Sequence, residues 1–207
     1  MSFLYGTQVE CLYAMPATGP TVTAAAATIM SGTTAANPPY GLPPGFFSQV
    51  SGGGPGKSLL IKGGGRYTVG TTAVTDIIKI GLNTTQNTAA IAVTLGATGA
   101  WTTVASQTDV AFAFDLMCTL TVPGKAGTNC SVNCVGTLLI GQANNAATPT
   151  LQTVGAQWAT PVMIGAPQTA AAFDPTVTQY VEVSNQWNVT TGAPTITLTN
   201  YMIFGLN

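Results

Sequence analysis

The sequence predicts an all-β fold, an antiparallel β-sandwich or jelly roll with an irregular N-terminal arm or loop rich in proline and glycine. Three observations lead to this prediction. Apolar and polar residues alternate with period two from Val110 to Ile140, about eight to ten short strand-like runs are separated by turn-forming residues, and no window of convincing length has helical periodicity. These features are typical of two antiparallel sheets packed face to face.

The central hairpin has the clearest pattern. Its even-numbered positions are apolar on both sides of a polar turn at residues 123–129. A turn centred on position 126 places Cys118 opposite Cys134 and Val122 opposite Cys130. The even-numbered face of both strands is therefore predicted to face the core.

The elements before the hairpin are predicted in chain order. A first strand runs from Thr7 to Met15. An extended segment is favoured from Thr21 to Met30, although its four consecutive alanines leave a short helix as the alternative. Residues 37–57 form a loop or arm, because their many prolines fix φ and remove backbone donors. Strands follow at Ser58 to Lys62, Arg66 to Val69, Asp76 to Leu82 and Ala89 to Leu95. The three glycines between the first two of these strands predict a bulge or a close backbone approach.

The elements after the hairpin complete one sandwich. A strand or two, broken by Pro161, are predicted between Leu151 and Ile164. The last two strands run from Tyr180 to Val189 and from Thr195 to Phe204. Their predicted core residues are Val181, Val183, Trp187 and Val189 in the first strand and Ile196, Leu198, Met202 and Phe204 in the second. The sandwich thus spans residues 57–207, and residues 1–56 are expected to pack on the same domain or on a neighbour.

Charge and histidine content argue against several functional classes. Charged residues make up 5% of the chain and the net charge is −1, whereas about 25% is usual for soluble domains. Five basic residues are too few to bind a phosphate backbone, so nucleic acid is not expected as a partner. The chain has no histidine, which removes the commonest general base and metal ligand. We therefore predict a protein that is not an enzyme.

Hydropathy also limits the expected location. The first five residues lack the basic leader and apolar run of a signal peptide. A run of about 18 apolar residues, which a membrane-spanning helix needs, is absent from the sequence. The chain is therefore expected to be made in the cytoplasm and to have no membrane partner.

A surface with so few charges must be built from neutral polar residues, chiefly Thr, Asn, Gln, Ser, Gly and Ala. Such a surface suits permanent packing against copies of the same chain or against a lattice, because interface cores are depleted of charge. An extracellular or adhesive β-domain with a Thr/Asn-rich face is the alternative that composition leaves open.

The groups that could carry chemistry form no recognisable site. A glycosidase needs two carboxylates across a cleft, but no pattern pairs the six acids, Glu10, Asp76, Asp109, Asp115, Asp174 and Glu182. The glycine run 51–56 ends in Lys57 and Ser58, as a phosphate-binding loop does. However, Ser51 stands where that motif needs its first glycine, and a strand follows instead of a helix. No cofactor is expected.

The four cysteines have three possible roles. Small buried thiols are the favoured interpretation, ahead of a disulfide between Cys118 and Cys134, which the register would permit. A metal site ranks last, because Cys130 and Cys134 are not spaced as a CxxC pair and the chain has no histidine.

Aromatic residues outside the clear strands are the candidate contact residues. They are Tyr40, Phe46, Phe47, Trp101 and Trp158. Tyr40, Phe46 and Phe47 lie among prolines, so they need either a groove on a neighbouring subunit or a place on the chain's own sandwich. Trp101 and Trp158 are candidate interface anchors, because aromatic residues are enriched at protein contacts, although at least one of them is expected in the core.

The run from Lys57 to the C-terminus contains "KSLLIKGGGRYTV", "DIIKIGLN", the long central hairpin and the closing "YVEVSNQWNVTTGAPTITLTNYMIFGLN". In these segments and their order it resembles small jelly-roll virion structural proteins of tailed bacteriophages. It implies a homotrimer that decorates a capsid shell or forms part of a tail or fibre. We therefore expect a head decoration or cement protein that binds the major capsid protein on the virion surface.

Two other functions remain open at this stage. A tail-fibre or receptor-binding domain that binds glycan would share the jelly roll. A carbohydrate-active enzyme is less favoured, because no pair of acids is visible.

Overall fold

The computed structural model describes residues 9–32, 38–47, 58–88, 90–122, 130–141, 162–164 and 171–206. Over these ranges the regular secondary structure consists of strands, which confirms the all-β prediction, and no helix able to cross a membrane is found there. The strands are β1 (Val9–Ala14), β2 (Thr21–Val22), β3 (Thr28–Ile29), β4 (Tyr40–Leu42), β5 (Ser58–Val69), β6 (Thr75–Asn83), β7 (Val93–Ala97), β8 (Trp101–Thr102), β9 (Gln107–Val122), β10 (Cys130–Ile140), β11 (Val162–Ile164), β12 (Ala171–Phe173), β13 (Gln179–Trp187) and β14 (Thr195–Leu206).

These strands form two antiparallel sheets that pack against each other as the predicted β-sandwich. The first sheet has the order β1-β14-β5-β9-β10-β11, with β2 beside β14 and β12 beside β10. The second has the order β3-β13-β6-β7, with β4 beside β13 and β8 beside β6. Ile61 and Leu116 of the first sheet and Ile80 and Val183 of the second are fully buried in one shared core.

The central hairpin is formed by β9 and β10, largely in the predicted register. Cys118 lies opposite Cys134, as predicted, and the even-numbered apolar residues of β10 are buried. The prediction for Val122 is wrong. An extra residue on β9, Thr121, forms a bulge that places Val122 opposite Ser131, where Val122 is 49% exposed.

A second bulge changes the predicted face of the last strand. Ile196 and Leu198 are buried as predicted, but the register of β14 shifts between Leu198 and Asn200. The added residue reverses the parity of everything after it. Tyr201 and Ile203 therefore enter the core, and the list of predicted core residues was wrong for Met202 and Phe204, which are half-buried on the outer face.

The glycine-rich strand β5 is continuous from Ser58 to Val69, where two strands were predicted. The close backbone approach predicted at its glycines is confirmed. A Cβ on Gly65 would lie 1.9 Å from the carbonyl oxygen of Thr197, and one on Gly63 would lie 2.5 Å from the ring of Phe114. Glycine at these positions therefore makes room for the neighbouring strand and for an aromatic ring of the core.

Two strand boundaries also differ from the prediction. Strand β13 ends at Trp187, so Val189 lies beyond it and is 39% exposed instead of buried. Strand β7 begins at Val93, later than predicted. Most of the strand region predicted from Leu151 to Ile164 lies outside the described residues. Its described part forms β11.

The described part of the N-terminal region is built into both sheets. Strand β1 pairs with β14 in the first sheet, and β3 and β4 pair with β13 in the second. Met30 and Leu42 are fully buried in the common core. Residues 9–47, as far as they are described, thus pack on the same domain as the rest of the chain.

Candidate assembly surface

The outer face of the first sheet carries a row of apolar side chains that crosses five adjacent strands. The strand registers align these residues one beside the next: Cys11, Phe204, Leu60, Met117 and Val135. Cys11 is exposed, Met117 is 36% exposed and Val135 is 54% exposed, while Phe204 and Leu60 are half-buried. We call these five residues the apolar row.

Apart from two pairs of charged residues, the rest of this outer face carries small, neutral or apolar side chains. Val9 at one end of β1 is 61% exposed, and Leu139 on β10 is 37% exposed. Several outward positions between them carry short side chains with no charge, among them Ala111, Ala113, Thr119, Asn133 and Thr137. The alternation predicted from the sequence explains this composition, since these residues occupy the odd-numbered positions of β9 and β10.

The charges on this face neutralise one another. Lys62 Nζ lies 4.0 Å from Asp115 Oδ2, and the two residues are direct neighbours across β5 and β9. Arg66 Nη1 donates to Asp109 Oδ2 at 2.8 Å and to the Asp109 carbonyl oxygen at 2.9 Å. Exposed pairs of this kind contribute little to folding stability. Over the described residues, the charges on this face therefore sum to zero.

Hydrogen bonds fix the Asp115 carboxylate in this arrangement. Its Oδ1 accepts from the Thr137 hydroxyl at 2.9 Å and from the Thr137 backbone N–H at 3.3 Å. The carboxylate therefore lies between β5 and β10 with a hydroxyl on one side and an ammonium group on the other. A partner packed on this face would meet a charge that is already compensated.

The dimensions of the face suit a specific protein contact. Four strands spaced about 4.8 Å apart and followed over about ten residues, together with the six residues of β1, give a surface of roughly 700 Å². Standard interfaces bury about 800 Å² on each partner. The face is therefore large enough to hold two proteins together.

The structure places four of the five predicted contact residues against aromatic rings of the same chain. Phe46 and Phe47 are 9% and 1% exposed and belong to the core. Their rings lie 5.0 Å apart, and Phe47 lies 5.2 Å from Phe173. The sequence left two places open for Phe46 and Phe47, a groove on a neighbouring subunit or the chain's own sandwich. The structure buries both side chains in the chain's own sandwich, so neither is exposed for contact with a neighbouring subunit.

Tyr40 and Trp101 are half-buried at the edges of the sandwich. The Tyr40 ring lies 5.6 Å from Tyr13, so it bridges β4 of the second sheet to β1 of the first. The Trp101 ring lies edge-on to Tyr67 at 5.8 Å. Trp158 lies outside the described residues. The predicted contact role of these three residues stays a prediction.

Two acids are buried in the second sheet. Asp76 is fully buried, and its Oδ1 accepts from the Ile77 N–H and from Asn185 Nδ2. Burial raises its pKa from 3.8 to about 7, although these two hydrogen bonds oppose the rise. Asp76 Oδ2, Asn185 Oδ1 and Trp101 Nε1 are buried without a hydrogen-bond partner. Three buried polar atoms in this part of the second sheet therefore leave their hydrogen bonds unmade.

Glu182 holds the connection between β6 and β7. Its carboxylate accepts from Asn83 Nδ2 and from the backbone N–H of Asn87, and Asn83 Oδ1 accepts from the Ala92 N–H at 2.7 Å. Burial raises the Glu182 pKa, and the bonds from Asn83 and the loop backbone oppose that rise. The role visible for Glu182 is to fix a loop.

The described residues contain no group of three or more histidine, cysteine, aspartate or glutamate side chains placed to bind a metal ion. Comparisons with known proteins add no assignment, since no protein-family model, curated protein or solved structure matches the chain.

The apolar row was missed at the sequence level, although part of its signal was present. Met117 and Val135 of the apolar row, like Leu139 on the same face, are large apolar residues at odd-numbered positions of strands whose even positions form the core. That parity marks them as outward-facing. Phe204 carried no such signal, because the bulge that turns it outward has no distinctive residue type.

Proposed function

We propose that this chain is a non-enzymatic structural protein of a virion, a capsid decoration protein that forms a homotrimer and stabilises the head shell by binding the major capsid protein. The observation that carries the assembly part of this proposal is the outer face of the first sheet, with its apolar row and paired charges. The virion part rests on the resemblance of residues 57–207 to small jelly-roll virion proteins.

The outer face supports association with further copies of the chain. A monomer that keeps large apolar side chains on the outer face of a sheet exposes the kind of patch that marks interaction sites. Because the face has no net charge, a second copy meets no electrostatic repulsion there. We assign subunit contacts to the apolar row and to the neutral residues around it.

The placement of the acids supports a non-enzymatic role. Asp109 and Asp115 pair with basic residues, and Asp174 accepts hydrogen bonds from the N–H and hydroxyl of Thr176 at 2.8 and 2.6 Å. Asp76 and Glu182 are held inside the second sheet. Five of the six acids thus take part in folding contacts, and these contacts account for them without a reaction.

Stabilisation of a shell follows from mass action. A trimer that binds the assembled lattice, and not the free capsid subunits, lowers the free energy of the assembled form. Contacts made by neutral and apolar groups keep their strength at high salt, since they have little charge to be screened. Tyr40 and Trp101 remain the candidate residues for contact with the shell.

The proposal is tested by placing charge on the apolar row. We expect Met117→Lys with Val135→Lys to weaken self-association by at least about 30-fold, because an unpaired ammonium group buried at an interface costs about 2 kcal/mol or more. The matched control is Val177→Lys with Val189→Lys, since both valines are 39% exposed and lie outside the first sheet. Light scattering coupled to size-exclusion chromatography measures the mass of each variant.

The control variant, with Val177→Lys and Val189→Lys, is expected to keep the mass of the wild type. Circular dichroism should show that both double variants keep the fold. Wild-type mass in the Met117 and Val135 variant would contradict the assignment of this face. Co-sedimentation with capsid shells then tests the second step, and a trimer that binds glycan but no shell would favour the receptor-binding alternative.

A further inference from the structure

The thiols of Cys118 and Cys134 are in contact inside the core. Their Cα atoms are direct partners across β9 and β10, their sulfur atoms lie 2.7 Å apart, and the two residues are 0% and 2% exposed. Directly opposed residues in an antiparallel pair have Cα atoms about 4.5 to 5.5 Å apart, which lies within the range of disulfides. A bond between the two sulfurs therefore needs no movement of the strands.

The other two cysteines are badly placed to compete for this bond. Cys130 precedes Cys134 by four residues on the same face of β10, so their Cα atoms are about 13 Å apart. Cys11 lies on the opposite face of the sheet, and β14 and β5 separate its strand from β9. The register thus selects one pair out of the four cysteines.

We propose that Cys118 and Cys134 are a site of oxidation and form an intrachain disulfide when the folding chain meets a small-molecule disulfide such as oxidised glutathione. One cysteine thiolate attacks the reagent and releases one glutathione thiolate, which leaves a mixed disulfide on the protein. The second cysteine thiolate attacks the protein sulfur of that mixed disulfide and releases the second glutathione. Overall, two cysteine thiols and one reagent disulfide give one protein disulfide and two glutathione thiols.

Burial decides when this reaction takes place. Burial raises the pKa of the Cys118 thiol well above its ordinary value, and the neighbouring Cys134 raises it further. A protonated thiol without access to solvent reacts slowly. The bond is therefore made while the hairpin is open during folding, and the folded reduced protein resists the same reagent.

The bond would covalently link strands β9 and β10 of the first sheet. It closes a loop with 15 residues between the two cysteines. A loop of this length restricts the unfolded chain enough to raise the melting temperature of a protein of this size by roughly 6 to 12 °C. This consequence does not depend on the proposed virion role.

The test is to refold the full chain with oxidised glutathione, block remaining thiols with iodoacetamide and measure the intact mass and the cross-linked peptides. We expect two blocked thiols, one peptide pair joined through Cys118 and Cys134, and a melting temperature that falls by roughly 6 to 12 °C after reduction. Cys130→Ser is the matched control and should keep the same cross-link. Cys118→Ala should lose both the cross-link and the response to reduction.

Three results would overturn the proposal. They are four blocked thiols after oxidative refolding, a cross-link that includes Cys130 or Cys11, and a stable glutathione adduct on Cys118 or Cys134. The wild-type peptide map decides among these results without any variant, so poor folding of Cys118→Ala would not affect the test.

Discussion

Replacing Asp76 by asparagine should remove a pH dependence that is built into the core. Asp76 is fully buried, and its pKa is raised from 3.8 to about 7 by burial. The folded state therefore holds a proton that the unfolded state has already released between pH 4 and 7. The stability linked to this group is fully present below about pH 4 and is lost as the pH rises through about 7.

The size of this effect follows from the two pKa values. A pKa that rises from 3.8 to about 7 corresponds to about 4 kcal/mol between the acidic and the alkaline limit. In Asp76→Asn the new side chain would be neutral at every pH and would keep an acceptor for the Ile77 N–H. Its amide group would also replace Asp76 Oδ2, which is buried without a hydrogen-bond partner in the wild type.

Urea unfolding between pH 4 and pH 9 measures this difference. We expect the free energy of unfolding of Asp76→Asn to exceed that of the wild type by about 2 to 4 kcal/mol at pH 8, and the gap to narrow at low pH. Glu182→Gln should likewise reduce the loss of unfolding free energy as the pH rises, since burial raises the pKa of Glu182 too. A constant gap between wild type and Asp76→Asn across the whole pH range would contradict a raised pKa of Asp76 in the folded chain.

Two further substitutions test the packing of the first sheet and the core. Gly65→Ala should cost about 3 kcal/mol, because its Cβ would lie 1.9 Å from a backbone oxygen, whereas Gly99→Ala, where no atom lies within 4 Å, should stay within about 0.5 kcal/mol of the wild type. Equal urea midpoints for the two variants would contradict the close approach of β5 and β14. Phe47→Ala should cost about 3 to 5 kcal/mol, more than Phe204→Ala on the half-buried outer face. A melting temperature unchanged by Phe47→Ala would return Phe47 to the surface role that the sequence suggested.

The fold was predictable because its strongest signals are local. Period-two alternation in β9 and β10 determines which side chains face the core, and the register then follows from the turn. The register beyond a β-bulge, where one strand has an extra residue, was not predictable in this way. The bulges at Thr121 and between Leu198 and Asn200 have no sequence signature of their own, yet each reverses the faces of the residues beyond it.

The candidate surface was predicted in composition and not in position. The scarcity of charge indicated neutral assembly faces, and the outer face of the first sheet has that character. Aromatic residues were expected to mark the contacts, but Phe46 and Phe47 fill the gap between the two sheets. Aliphatic residues such as Met117 and Val135 are exposed instead, because they occupy outward-facing positions of their strands.

The native mass of the purified wild-type chain, measured by light scattering from about 0.1 M to about 1 M salt, shows whether the chain forms a trimer through uncharged contacts. We expect three times the chain mass of 21.0 kDa at every salt concentration, since the proposed contacts are neutral and apolar. A stable monomer across this range would contradict the claim that the outer face of the first sheet joins subunits, and would favour a solitary binding module.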